Sequence, residues 1–416
     1  MYKTKTNNVI DNKIKNLDFN IKLPLAIYLH VPFCEGKCRY CDFYSKNLSE
    51  NKVERYIKAL EIEIKARARI LRETNDLDSK TKFKVNTIYI GGGTPSLLSS
   101  KDIKKIFLLL KENFSLSVSA EITIEANPNS LNREKSEAYK EIGINRISLG
   151  VQSFNDEELK FLGRRHNSIE ALEKIEVLRK YFSNFNIDLI FAIPGQSKAS
   201  WKDNLMRAIS LNPKHISIYN LQIEEGTSLA QDLEKGKFEK ADDSLDAEMY
   251  IMAKEILSQN GFTHYEISNF ARTAKQSKHN RIYWELKPYL GLGPAAHSFT
   301  GKIRYQNYSS ISKYYELLLE NSLNIKSNIS DLPTITEIKV LDSKELMSEK
   351  IFMGLRLLEG ISLDDFAENF NISLLTVYKE EIQRLKELSL IKIMNRRLSL
   401  TKKGLLHANR VFMEFL

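Results

Sequence analysis

The only three cysteines of the 416 residues fall within one stretch, Cys34-Glu35-Gly36-Lys37-Cys38-Arg39-Tyr40-Cys41. A chain that avoids cysteine elsewhere and groups three in one loop is not using them for packing. An odd number cannot close into disulfide pairs, and such a cluster points to metal or catalysis first. Structural zinc usually takes four ligands, with its cysteines in two separated pairs. A C-x3-C-x2-C triple can instead hold three irons of a [4Fe–4S] cluster and leave the fourth iron open to a ligand. An incomplete zinc site and chance clustering are the plain alternatives at this point.

The flanking pattern says how the loop is carried. Residues 25–31 are apolar and β-branched, the pattern of a short strand, and Pro32 ends it. From Ser49 to about Arg72, apolar residues recur at helical spacing (Val53, Tyr56, Ile57, Leu60, Ile64). The cysteine loop is therefore a strand-to-helix connection. Further strands are predicted at 85–90, 121–126, 145–151, 187–192 and 215–221, with helices between them. Strands alternating with helices imply an α/β fold with a parallel sheet and right-handed crossovers. Chemistry in such folds gathers at the C-terminal ends of the strands. Beyond Leu221 the pattern changes: a helix at 242–260, an irregular stretch at 262–310, then a helix and polar linker over 311–345. From Leu346 the chain turns helical, with a small hairpin or wing hinted at 398–405. The division is a tail at 1–23, a core at 24–240, a covering segment at 241–345 and a C-terminal winged-helix-like domain at 346–416.

Composition narrows the partners. Hydrophobic residues make up 42% and charged residues 28%, ordinary for a globular protein. The net charge of +9 comes from lysines spread along the chain, so no basic block marks a nucleic-acid face. The winged region could be a DNA reader, but residues 379–386 alternate acids and bases, which favours a structural role. Residues 1–23 are polar, have no apolar core and read as a disordered extension rather than a signal peptide. No run approaches the roughly 18–20 apolar residues of a membrane span. A cytoplasmic protein that is not integral to a membrane is expected.

Several strand ends carry residues able to hold a ligand. Gly91-Gly92-Gly93-Thr94 joins a strand to a helix, where glycine lets the backbone come close to a ligand; an ordinary tight turn would look the same. Glu125 ends the third strand, Gln152 follows the fourth and Asp188 lies inside the fifth, all able to meet hydroxyl groups. Arg164 can pair with a carboxylate. Tyr28 precedes the loop and Tyr40 stands just before the third cysteine. In His279-Asn280-Arg281-Ile282-Tyr283-Trp284, imidazole could ligate haem iron and the aromatics could cover the macrocycle. From chemistry alone a packed loop is the better reading of that stretch, and His297 is equally ambiguous.

The cysteine loop, GGGTPS at 91–96, EANP at 125–128, the run from Asn145 to Phe154, LGRRH at 162–166, DLI at 188–190 and AIPG at 192–195 stand in order. Together they resemble the radical S-adenosylmethionine superfamily, and within it the oxygen-independent coproporphyrinogen III oxidase-like branch. The resemblance runs from about Leu25 to the C-terminus and implies a partial (β/α)6 barrel followed by a mostly α winged-helix-like domain. Oxidases of this branch carry a fourth cysteine two residues after the third, where this chain has Phe43. The HNxxYW stretch at 279–284 is typical instead of the haem chaperones of the branch, the HemW family.

The resemblance implies that Cys34, Cys38 and Cys41 ligate a [4Fe–4S] cluster. It assigns S-adenosylmethionine to Tyr28, Tyr40, Gly92, Gly93, Thr94, Glu125, Gln152, Arg164 and Asp188, with Gln222 as a further contact. It places haem at His279 with Tyr283 and Trp284 around it. The expected function is a haem chaperone that passes haem to apo-acceptors such as membrane-associated respiratory enzymes, served by an electron donor such as flavodoxin or ferredoxin. The competing function is the oxidase itself, oxidative decarboxylation of two porphyrinogen propionates. A nucleic-acid-modifying radical enzyme would need an RNA-binding module or second cysteine cluster, and neither is present.

Overall fold

A computed structural model of the chain describes residues 25–416 apart from 76, 79 and 322–331. The extension expected at 1–23 and part of the linker expected before 345 lie outside the described residues. The chain folds as two compact units. One takes the chain up to Glu35, Tyr44–Ile122 and Lys287–Val340; the other takes Gly36–Phe43, Thr123–Leu286 and Leu341–Leu416.

In the first unit, β1 (Leu25–Val31) is buried at every position but Tyr28, as a strand covered on both faces must be. The short β2 (Phe33–Cys34) pairs in parallel with β3 (Lys46–Asn47), closing the base of the cysteine loop. Helix α1 (Glu50–Thr74) buries Val53, Tyr56, Ile57, Leu60 and Ile64. Then come β4 (Lys84–Gly92), parallel to β1, and α2 (Ser100–Asn113), capped by Ser99. Strand β5 (Ser115–Ala126) carries the chain into the second unit.

There the pattern continues through α3 (Arg133–Ile142), β6 (Arg146–Gln152), α4 (Asp156–Leu162), α5 (Ser168–Arg179), β7 (Phe185–Phe191), α6 (Lys198–Ser210) and β8 (His215–Asn220). The end of β5 pairs in parallel with β6, β6 with β7 and β7 with β8. Next are α7 (Ser228–Glu234) and α8 (Asp243–Gln259). Strand β10 (Asn269–Ala271) adds antiparallel to β8 and β9 (Thr263–Glu266) antiparallel to β10, and α9 (Lys278–Trp284) carries the HNRIYW residues.

Returning to the first unit, β11 (Tyr289–Leu292) runs parallel to β1 on the side away from β4. Strands β12 (His297–Phe299), β13 (Ile303–Asn307) and β14 (Ile335–Val340) add antiparallel, with α10 (Ile311–Asn321) between the last two. The chain ends in the second unit with α11 (Ser343–Gly354), β15 (Ile361–Ser362), α12 (Leu363–Phe370), α13 (Leu374–Val377), α14 (Lys379–Glu387), β16 (Ile391–Met394), β17 (Arg397–Leu400), α15 (Lys402–Leu406) and α16 (Ala408–Met413). These helices and the small sheet enclose a core that includes Ile351, Phe366, Leu374, Leu385, Leu398 and Val411.

The six expected parallel strands are therefore β1, β4, β5, β6, β7 and β8, and the fold is the partial (β/α)6 type with a winged C-terminal part. Two expectations need correction. The stretch at 262–310 is not irregular: it holds β9 to β13 and α9. Its strands run only three to five residues, too short to show a period of two. The wing begins at Ile391 rather than near 398, and residues 402–406 are helical. Its turn is Asn395-Arg396, both with positive φ, a less legible hairpin signal than Asn-Gly. Among the described residues no helix is long and apolar enough to cross a membrane.

Candidate functional site

The end of β1 and the turn after β4 build one part of the site in the first unit. Gly93 N–H donates to Val31 O at 2.8 Å and Thr94 N–H to Phe33 O at 2.7 Å, so the GGGT turn is stitched to the strand that leads into the cysteine loop. A Cβ at Gly93 would stand 2.5 Å from Phe33 O, and Gly92 has φ +114°; neither position accepts a larger residue without moving backbone. Thr94, nearly buried, places Oγ1 3.4 Å from Cys34 Sγ. Tyr28 is half-buried, opposite Tyr89 on β4 and Gly291 on β11. Its hydroxyl lies 3.1 Å from Nδ1 of His30, whose Nε2 lies 3.1 Å from the Tyr44 carbonyl. A carbonyl only accepts, so Nε2 carries the proton and Nδ1 takes that of Tyr28. Burial pushes His30 down to about 4, so it is neutral. The sequence reading missed His30, although the alternation of Tyr28 and His30 on one strand face was a usable signal.

The remainder of the loop belongs to the second unit, where Arg164 gathers it. Its Nη1 donates to Cys38 Sγ at 3.4 Å, and Nη2 donates at 2.7 Å both to Asn127 Oδ1 and to Gly150 O. Burial works against its charge, but Tyr40 and Cys38 beside it more than offset this and raise its pKa. Burial pushes the Tyr40 phenol up, with Arg164 opposing. Arg39 anchors the loop from outside the expected set: Nη1 to Phe161 O at 2.7 Å, Nη2 to Asp232 Oδ2 at 2.8 Å, and its carbonyl to Leu229 N–H at 2.9 Å. A cavity of about 660 Å³ opens beside Arg39, Lys160, Phe161 and Pro194, and none of the expected ligand-binding residues lines it.

Glu125 is half-buried and faces Ser148 across the β5–β6 pairing. Gln152 ends β6 with φ +71°, where the register slips against β7. Asp188 sits at the one less buried position of β7 and accepts from Ser148 Oγ at 3.2 Å and Asn186 Nδ2 at 2.7 Å. Burial raises its carboxyl. Gln222 is exposed after β8.

In α9, His279 is wholly buried, with Nε2 2.8 Å from the Tyr283 hydroxyl and the two rings edge to face. Burial, with Arg146 adding to it, lowers its pKa to about 3. Trp284 is half-buried under the Arg356 guanidinium at 4.7 Å, and its Nε1 is buried without a partner. His297 is exposed at the start of β12.

The three cysteines are half-buried and form no disulfide with one another. Among the described residues no three His, Cys, Asp or Glu side chains stand as a ready ligand set. The local chemistry nonetheless suits metal-bound thiolates: the Arg164 guanidinium donates to Cys38 Sγ and the Thr94 hydroxyl lies beside Cys34 Sγ.

Residues 28–208 match the model of the radical SAM superfamily, and residues 341–407 that of the HemN C-terminal domain. The chain is 33% identical over 399 residues to heme chaperone HemW of Lactococcus lactis, covering 95% of this chain and 98% of that one. With heme chaperone HemW of Bacillus subtilis it shares 35% identity, covering 94% and 99%. Among solved structures, coproporphyrinogen III oxidase (HemN) from Escherichia coli superimposes with a TM-score of 0.79 at 23% identity, over 94% of this chain and 90% of that one, a likeness of fold.

Proposed function

The chain belongs to the radical S-adenosylmethionine superfamily, in the oxygen-independent coproporphyrinogen III oxidase-like branch that includes the HemW proteins, and from that footing we propose that it is a haem chaperone. The observation that carries the proposal is the likeness to HemW over 98% of the lactococcal protein's length. Membership of the superfamily implies a [4Fe–4S] cluster and S-adenosylmethionine. In this reading Cys34, Cys38 and Cys41 would hold the cluster, which would supply an electron for chemistry on S-adenosylmethionine. Arg164 and Thr94 support the thiolates, and Gly92 and Gly93 let the turn pack tightly on the strand that leads into the cysteine loop, where the resemblance expects it to meet the methionine amine. Tyr28, Tyr40, Glu125, Gln152, Asp188 and Gln222 complete the S-adenosylmethionine contacts.

Haem is placed at α9, with His279, Tyr283 and Trp284. Because His279 Nε2 is engaged by the Tyr283 hydroxyl, contact between that nitrogen and iron requires this 2.8 Å link to open. Release to apo-acceptors, respiratory enzymes among them, completes the cycle, with flavodoxin or ferredoxin as electron source and the cytoplasm as its place.

The test is an anaerobic haem titration of the cluster-reconstituted protein, followed at the Soret band, beside His279→Ala. Saturable binding of one haem per chain is expected, weakened about tenfold or more in the variant, equivalent to about 1.4 kcal/mol. Absence of saturable binding together with turnover of coproporphyrinogen III would make the chain an oxidase instead.

A further inference from the structure

A line of buried hydrogen bonds crosses the second unit from β7 to the start of α9. Asn186 Nδ2 donates to Asp188 Oδ1 at 2.7 Å, with Ser148 Oγ and Ser217 Oγ as further acceptors at 2.8 and 2.9 Å, and the carboxylate fixes the amide because its oxygen accepts. Asn186 Oδ1 therefore faces His215, and Nδ1 of that ring, 2.7 Å away, carries the proton. His215 Nε2 is then an acceptor, and the Tyr265 hydroxyl donates to it at 2.8 Å. Tyr265 in turn accepts Ser277 N–H at 3.3 Å, and Ser277 Oγ caps α9 by accepting Asn280 N–H at 3.3 Å. Asn186, His215, Tyr265 and Ser277 are all at most 4% exposed. From Ser277 to Asp188 every donor points the same way, so the bonds polarise one another along the line. Apolar side chains of similar volume would fill the same core at no loss of stability, so a purely structural role leaves the arrangement unexplained.

Resting on the placement of S-adenosylmethionine at Asp188 and haem at α9 given above, we propose that Asn186, His215 and Tyr265 are positioning residues that couple the two sites, so that filling one raises affinity at the other. Ligand hydroxyls donating to Asp188 compete with Asn186 for the carboxylate. The line then loses polarisation, the Tyr265–Ser277 link weakens, and α9 opens more readily to release His279 from Tyr283. By linkage, haem strengthens S-adenosylmethionine binding by the same factor.

The experiment uses the full chain with its cluster reconstituted anaerobically. Haem dissociation constants are measured with and without saturating S-adenosylmethionine, in the wild type and in Tyr265→Phe, which removes one hydroxyl and keeps the ring. In the wild type, S-adenosylmethionine is expected to tighten haem binding about fivefold or more. In Tyr265→Phe each ligand alone still binds and the ratio falls to near one. Loss of packing alone would lower Tm and leave the ratio where it was. Should that variant fail to fold, His215→Asn breaks the next link and carries the same expectation. The reciprocal measurement in the wild type, S-adenosylmethionine affinity with and without haem, must give the same factor. A saturable haem titration with a wild-type ratio of one, or an unchanged ratio in the variants, overturns the relay alone. A flat titration overturns the chaperone reading along with it.

Discussion

Arg164 shows what a sequence yields about a single residue and what it withholds. Its motif was visible, and so was its fitness for a charged partner. That the partners are Cys38 Sγ and Asn127 Oδ1 was not, because Cys38 lies 126 residues away in the chain. Spacing within a motif reports neighbours along a loop, not the groups that tertiary folding brings up. The same limit applies to His279: its aromatic company was legible, its complete burial was not. Removing the Arg164 charge should expose its role. Arg164→Met keeps the length of the side chain and deletes a charge-assisted hydrogen bond worth about 1.5–3 kcal/mol. After anaerobic reconstitution, iron released to a chelator should leave the variant at least about tenfold faster than the wild type, and S-adenosylmethionine binding should weaken in parallel. Equal rates of iron loss would mean that Arg164 serves only to hold Asn127 and the backbone at Gly150.

Among elements, legibility followed burial. Strands such as Leu25–Val31, buried at all positions but one, read as mainly apolar runs and were placed to within a residue or two, whereas β5 begins at Ser115, six residues before its expected start, where it is not fully buried. The three- to five-residue strands from Thr263 on carry too few positions for any pattern to show. Helix α1 combined both cases. Its apolar spacing was plain, but Glu63 and Arg67, four apart, look like an exposed ion pair and are instead almost fully buried. Glu63 accepts from Gly293 N–H at 2.8 Å, Asn307 Nδ2 at 2.6 Å and Tyr314 Oη at 2.6 Å, tying α1 to the turn after β11, to β13 and to α10. Glu63→Ala strands the Arg67 guanidinium without its counter-charge, which should cost about 3–5 kcal/mol. Glu63→Gln, which keeps an acceptor oxygen, should cost less. Urea unfolding followed by circular dichroism would read both. Equal, small shifts in the two variants would show that water reaches the pair and that the network does not hold the helix.

At the scale of the whole chain the sequence gives the charge, +9, but not which titratable groups are sealed away. His30, His166, His215 and His279 are buried and His264 is half-buried. Desolvation is the first cause in each case: it lowers His30, His166 and His264 to about 4, His279 to about 3, and His215 well below its usual value of 6.5. Unfolding returns each to about 6.5, so between roughly pH 6.5 and 4 the unfolded chain binds the extra protons and stability falls as pH falls. Burial acts oppositely on the carboxyls, raising Glu266 to about 7 and also raising Asp188 and Asp246, so these three favour the folded state in the same window. Burial lowers His297 as well, and six histidines against three carboxyls leave the balance with the histidines, at roughly 1.4 kcal/mol per pH unit for each uncompensated proton. The unfolding temperature should therefore drop by roughly 3–6 °C between pH 7 and 5.5. A flat profile would mean that the histidine and carboxyl contributions cancel. Salt separates this cause from simple charge repulsion. Acid also raises the net positive charge, and repulsion among exposed groups is screened at about 0.5 M salt, whereas the cost of protonating a sealed imidazole is not. A drop that survives added salt belongs to the buried histidines, His215 and His279 of the hydrogen-bonded core among them.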